Sequence, residues 1–376
     1  MSSKLLIIAG FCLLTLLPVV QWCTGILPDA PLTENRSPVP APDWRKRSSM
    51  QNYLMGWQDW FNDRYSGRNF LIRLQTQLDY SAFSYSDRVH IGRDGWLFYR
   101  SVLDVQKPAV ERMTSVHNDE VIANLKKLND WLASRGVRLI IMDNQLKDTF
   151  YSENLPASVP ARPRVPGYHR LRARIARETG AEFIDSTMVM AALKPSRQIF
   201  HKTDFHWNDP AAFAVSKAVV DRIAQLAGPG HQGWRWPLEI SSRTYSGGEA
   251  AYMPLLIPVN ETALFVNKTW PDLPRTYNEN DGPFEFSLTH NGEDATLLPG
   301  IVVFGDSFFD GMTRSGFAEH FHSLHRARCY HATISQVLAS LPSDCRFFLL
   351  QYIETGVGLL TIPLTLPANA KPAGTP

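Results

Sequence analysis

Apolar positions along this chain alternate between two periods. From Trp57 to Leu78 they recur at helical spacing (Trp57, Phe61, Tyr65, Phe70, Leu71, Leu74, Leu78), which predicts a helix interrupted near Gly67. Apolar runs at 89–91 and 96–99 flank Arg93-Asp94-Gly95, the mark of a hairpin with a tight turn at Asp94-Gly95. Beyond the hairpin, helices and strands take turns. Residues 118–134 form an amphipathic helix (Val121, Ile122, Leu125, Leu128, Trp131, Leu132), and 137–142 a short strand. A helix over 168–179 stops at Gly180, and a strand over 181–184 closes at Asp185. Asn208-Asp209-Pro210 supplies a cap and a first-turn proline for a helix over 210–226. Such alternation predicts an α/β fold with a central, mostly parallel sheet and helices on both faces.

Residues 229–300 break the rhythm with Gly247-Gly248, scattered prolines and short strand-like runs such as 263–266. They read as an irregular insertion of hairpins beside the active site. Strands resume at 301–304 and 346–353, and from Pro363 onward Pro, Ala and Gly predict a disordered tail. No internal repeat is present.

The N-terminus is a targeting segment. Lys4 precedes an apolar run from Leu5 to Val20, and the first acid is Asp29. The run is short against the roughly 17–25 residues of a membrane span, though Trp22 and Ile26 extend it. Val20-Gln21-Trp22-Cys23 is too bulky for a cleavage site, which favours an uncleaved anchor over a cleaved signal peptide. The body then lies outside the cytoplasm, anchored to the inner membrane. Organisation follows: a signal segment (1–26), a proline-rich spacer (27–50), one domain (51–362) and the tail (363–376).

Composition narrows the function classes. The 376 residues carry a formal net charge of +2 with no dense basic stripe, which argues against a nucleic-acid partner. Asn35, Asn260 and Asn267 stand in glycosylation sequons that chance alone supplies often. Cys329 and Cys345 are the cysteines of the body, and in an oxidising compartment they form either a bridge or two free thiols.

Two short stretches carry the chemistry: Thr203-Asp204-Phe205-His206-Trp207 and Gly305-Asp306-Ser307-Phe308. Serine attacks at neutral pH only when an imidazole takes its proton and a carboxylate orients that imidazole. Asp204 and His206 converge on one site if their segment is extended or tightly turned, and Ser307 follows a buried strand, as a nucleophile at a strand end should. Each stretch alone reads more readily as a plain turn or a structural histidine. A metal is the competing chemistry: His201, Asp204 and His206 have ligand-like spacing, and His320, His322 and His325 form a second cluster, otherwise the solvated face of a helix.

Together these residues resemble the SGNH-hydrolase-like acetyltransferases of alginate O-acetylation, the AlgJ and AlgX group, and the anchored single-domain layout is most similar to AlgJ. The likeness is carried by Glu34-Asn35-Arg36 with Phe61-Asn62-Asp63-Arg64-Tyr65, by residues 91–99, by 202–208 and by 304–308. In that family the Asp-x-His element precedes the serine, a circular permutation of the usual SGNH order, and this chain has that order. The resemblance implies a three-layer fold, with Ser307 as nucleophile, His206 as base and Asp204 as its orienter. It also implies substrate or oxyanion roles for Asn144, Lys147, Tyr151 and Glu354, although Asp143-Asn144-Gln145 and Glu354-Thr355 depart from the family's pattern. It implies no cofactor, an exopolysaccharide acceptor and a membrane-bound O-acyltransferase that supplies acetyl. The expected function is an O-acetyltransferase with an acetyl-serine intermediate. An acetyl esterase using the same triad and a non-catalytic glycan-export scaffold are the alternatives.

Overall fold

The computed structural model describes residues 3–28, 32, 37–104, 118–159, 166–292, 294–361 and 364–367. Glu34-Asn35-Arg36 and most of the expected tail lie outside them. The α-helices longer than one turn are α1 (Ser3–Thr24), α2 (Met50–Arg64), α3 (Arg68–Phe83), α4 (Asn118–Ala133), α5 (Pro166–Glu178), α6 (Ser186–Leu193), α7 (Asp209–Ala227), α8 (Phe309–Arg314) and α9 (Ile334–Ala339). The strands are β1 (Val89–Ile91), β2 (Leu97–Tyr99), β3 (Arg138–Asn144), β4 (Glu182–Asp185), β5 (Ile240–Tyr245), β6 (Glu261–Val266), β7 (Arg275–Asp281), β8 (Phe284–His290), β9 (Gly300–Gly305), β10 (Ser323–Arg328) and β11 (Cys345–Ile353).

Seven strands form the central sheet in the order β4-β3-β11-β9-β10-β8-β7. The first five run parallel; β8 pairs antiparallel with β10, and β7 pairs antiparallel with β8. The inner strands are apolar throughout because helices cover both faces. Ile140 and Met142 of β3, Ile301 and Val303 of β9, and Phe347 and Leu349 of β11 pack on the α6–α7 side. Their alternates Leu139, Ile141, Val302, Phe304, Phe348 and Leu350 pack against α4, α5 and α9. The three-layer α/β arrangement expected from the alternation is therefore present.

Local signals hold as well. β1 and β2 pair antiparallel around Asp94 and Gly95, both at positive φ, as a tight turn requires. The Asn208 side chain accepts the Ala211 N–H at 3.1 Å and caps α7, with Pro210 in its first turn. The 229–300 region is more ordered than an irregular insertion: β5 and β6 form a hairpin, and β7 and β8 extend the main sheet.

Two expectations are corrected. The stretch read as a helix face around His320–His325 is a 3-10 turn over Phe317–His320 that leads into β10. His320 is buried and stacked on Trp234, and His325 accepts or donates to Ser287 Oγ at 2.8 Å inside the sheet. Cys329 and Cys345 are free thiols. Cys345 pairs with Gly300 at one end of β9, whereas the Cys329 N–H bonds to Gly305 at the other. Five residues of strand put them about 16 Å apart, well beyond disulfide reach. Among the described residues no helix is long and apolar enough to cross a membrane. The α1 run is interrupted by Thr15, Pro18 and Gln21, and Gln21 turns back to hydrogen-bond Leu27.

Candidate active site

Strands β3, β11 and β9 end side by side, and Ser307 lies one turn beyond β9. Gly305 is needed there, because a Cβ would collide with the Gln351 side chain of β11. That close approach lets Gln351 Oε1 accept the Asp306 N–H at 3.0 Å. Gln351 Nε2 in turn donates to Asp306 Oδ1 at 2.9 Å and to Asn144 Oδ1 at 2.8 Å. The buried Asp306 carboxylate also accepts the N–H groups of Phe308 (2.9 Å) and Ile353 (2.6 Å). Burial pushes its pKa up, against the pull of these bonds. One buried network therefore ties three strand ends beneath the serine.

Asp204 and His206 belong to a loop that closes on itself. Phe200 and Trp207 form a bridge, and the Asn208 N–H bonds to Ile199 at 3.1 Å. Trp207 is buried and donates its indole N–H to the Phe308 carbonyl at 3.0 Å, which pins His206 beside the serine turn. His206 Nε2 lies 2.7 Å from Ser307 Oγ, and His206 Nδ1 lies 2.7 Å from Asp204 Oδ1. Asp204 also accepts the His206 N–H (3.0 Å), the Tyr245 hydroxyl (3.0 Å) and the Gly248 N–H (2.8 Å). Burial alone would raise its pKa. The His206 charge and these hydrogen bonds outweigh burial and hold the carboxyl well below the usual range. Asp204 is thus an ionised acceptor that fixes the Nδ1–H tautomer and leaves Nε2 free for the serine proton.

The loop is clamped from behind. Lys147 Nζ is buried and donates to the carbonyls of Asp204 (2.9 Å), Lys202 (3.2 Å) and His201 (3.5 Å), and it pairs with the buried Glu249 carboxylate. Burial pushes Glu249 up, opposed by the Lys147 charge. Glu261 accepts the Thr203 N–H (2.8 Å), the Thr203 hydroxyl (2.7 Å) and the Lys202 N–H (2.9 Å). At Gly247 a Cβ would stand 2.5 Å from Asp204 Cβ and 2.6 Å from the Thr203 carbonyl, so backbone must pass there bare.

The four residues expected to touch substrate or oxyanion are placed as follows. Asn144 ends β3 in the Gln351 network and keeps Nδ2 unpaired. Lys147 clamps the histidine loop, as above. Tyr151 stacks on Trp96 at 4.0 Å and accepts the Ile199 N–H at 3.1 Å. Glu354 accepts the Leu146 N–H at 3.3 Å. Lys147, Tyr151 and Glu354 stand back from the cleft. The cleft itself, about 280 Å³, is lined by His201, His206, Tyr245, Phe265, Ser307 and Arg314 among others. Among the described residues, no group of three His, Cys, Asp or Glu side chains is placed to hold a metal ion. His201 places its Nδ1 4.0 Å from Glu261.

Glu249, Glu261, Tyr245 and Gln351 were invisible to sequence reasoning. No periodicity marks a carboxylate that receives a distant loop. Only Gly247-Gly248, a bare stretch in an aperiodic region, pointed to close backbone approach.

The model of the SGNH hydrolase-like domain of acetyltransferase AlgX matches residues 89–239, which include Asp204 and His206 and end before Ser307. The probable alginate O-acetylase AlgJ of Pseudomonas syringae pv. tomato is 24% identical over 197 residues, 52% of this chain and 49% of that protein. Its counterpart in Pseudomonas putida is 26% identical over 137 residues, 36% of this chain and 34% of that protein. The chain thus spans about half or less of the curated relatives it matches. Bacillus cereus PatB1 superposes with a TM-score of 0.52 at 15% identity, covering 70% of this chain and 95% of that one. The O-acetyltransferase domain of P. putida AlgJ gives a TM-score of 0.47 at 18% identity, with 72% and 92% coverage. At these identities the solved structures speak to the fold alone. The sequence matches go further: over residues 89–239 this chain is similar to the SGNH hydrolase-like domain of acetyltransferase AlgX, and over 197 residues to AlgJ.

Proposed function

We propose that this chain is a serine-dependent O-acetyltransferase that places acetyl groups on an alginate-like polysaccharide outside the cytoplasm. One observation carries the reading: Ser307 Oγ, His206 and Asp204 form a continuous chain of 2.7 Å contacts that opens into a cleft. Ser307 Oγ attacks the acetyl carbonyl carbon while His206 Nε2 takes its proton. The carbonyl oxygen becomes an oxyanion. Among the described residues the Ser307 N–H has no partner, and Asn144 Nδ2 is the unpaired amide nearest in the network; these two are the proposed donors. The donor's leaving group departs with the proton from His206, which leaves acetyl-Ser307. A sugar hydroxyl then gives its proton to His206 and attacks the acetyl carbon, and Ser307 is released with that proton. A membrane-bound O-acyltransferase is the proposed acetyl source, the polysaccharide the acceptor, and residues 51–362 the acting unit.

Ser307→Ala tests the reading. Acetate release from 4-nitrophenyl acetate and acetyl transfer to an oligosaccharide should both fall roughly a thousandfold or more. Retained activity in that variant overturns the mechanism. Release without transfer by the intact chain would make it an esterase.

A further inference from the structure

Among the described residues that line the cleft beside Ser307, one cation keeps an open edge. The carboxylates there are answered: Asp204 by His206, Tyr245 and Gly248, and Asp310 by Arg328 at 3.0 Å with Arg326 3.6 Å away. Arg314, the last residue of α8, lines the same cleft. Its Nε (3.0 Å) and Nη2 (2.8 Å) both donate to Asp209 Oδ1. Asp209 is buried in the first turn of α7, where the helix dipole already shares its charge, and its other oxygen accepts the Val266 N–H at 3.3 Å. The guanidinium is thus fixed along one edge, while the side chain as a whole stays 51% exposed. Its Nη1 has no partner among the described residues. Tyr245 and Phe265 of the β5–β6 hairpin give the cleft an aromatic lining, which suits the carbon skeleton of a sugar ring.

A planar fork held rigid on one side and open on the other matches a carboxylate better than a hydroxyl, because two parallel N–H donors meet two oxygens. We propose that Arg314 is the specificity-determining residue of the acceptor site and that it selects a carboxylate-bearing sugar next to the hydroxyl being acetylated. This inference rests on the O-acetyltransferase reading above. It adds which residue of this chain reads the carboxylate of such an acceptor.

The full chain is assayed with 4-nitrophenyl acetate as donor and two acceptors of equal length, an oligouronate and its carboxyl-reduced neutral counterpart. The intact protein should favour the acidic acceptor, and added salt should erode the preference. Arg314→Gln should raise KM for the acidic acceptor relative to the neutral one by about tenfold or more, the range for one charge-assisted pair. Arg314→Lys should recover part of that ratio. Because Arg314→Gln leaves Asp209 buried and unpaired, the Arg314→Gln/Asp209→Asn double variant repeats the measurement without the stranded charge. An unchanged acidic-to-neutral ratio, or an equal loss on both acceptors, overturns the inference. If the intact chain transfers to neither acceptor, the transferase reading fails, and calorimetric titration with the two oligosaccharides decides the inference separately. Binding that favours the acid and is lost in Arg314→Gln sustains it; equal binding of both overturns it.

Discussion

Lys147→Met is the most informative single change, because Lys147 and Ser307 belong to different parts of the fold. Lys147 Nζ holds three carbonyls of the His201–Asp204 loop and faces Glu249, whose side chain has no exposure at all. Removing one partner of a buried pair costs about 3–5 kcal/mol. The cost is softened here, since Glu249 loses the one charge that opposes its burial and takes up a proton instead. We expect a loss of about 3 kcal/mol near neutral pH.

The sign of its pH dependence follows. In the variant, folded Glu249 keeps a proton that the unfolded chain releases above its ordinary value of 4.5. The stability tied to that proton is present at low pH and is lost as pH rises toward the elevated folded value. In the intact protein the Glu249 carboxyl is already pushed up to about 8, and it rises further without Lys147, so the deficit of Lys147→Met should stay level from pH 5 to 7 and grow above pH 8. Urea unfolding at pH 7 and 9 measures it, and the Lys147→Met/Glu249→Gln double variant should lose the pH dependence and recover much of the stability. Activity should fall about a hundredfold, because the loop that aims His206 shifts by a fraction of an ångström or more. A deficit under about 1 kcal/mol at pH 7, or one that shrinks between pH 7 and 9, would falsify this account of the pair.

Other outcomes follow from the same contacts. Gly305→Ala must displace Gln351 from Asp306, so it should cost about 1–3 kcal/mol in urea unfolding and remove more activity than stability. His320 is pushed down to about 4, chiefly by burial, so the unfolded chain takes up its proton first. Stability should then drop by about 3 kcal/mol between pH 6.5 and 4, and His320→Asn should flatten that slope in unfolding curves at stepped pH. Alkylation followed by peptide mapping without reductant should find no Cys329–Cys345 link; a linked peptide from active protein would contradict the sheet register.

Much of the architecture was legible because strand and helix periods are local. The inner strands announced themselves as short apolar runs, and the α7 cap as Asn208-Asp209-Pro210. β10 was hidden: Ser323-Leu324-His325-Arg326-Ala327-Arg328 carries polar residues toward Ser287 and Asp306, so its burial depends on partners far away in sequence. Asp204, His206 and Ser307 were legible from motif order. The clamp around them was not, since Glu249 and Glu261 act on a loop that precedes them by some fifty residues and leave no spacing to read.

The 2.7 Å contact between His206 and Ser307 joins residues 101 apart in sequence, and the segment 144–147 governs both sides of it. Asn144 meets Gln351, which holds Asp306 and so the serine turn. Three residues later Lys147 holds the carbonyls of the histidine loop, and Leu146 between them is tied to Glu354. The end of β3 is thus the common reference for nucleophile and base. Residues that act on one distance do not contribute independently to it. Asn144→Ala and Lys147→Met should each lower kcat/KM, and the double variant should lose clearly less than the product of the two. A fully multiplicative loss in that cycle would mean that the two halves of the site are set separately, and that the short turn after β3 does not couple them.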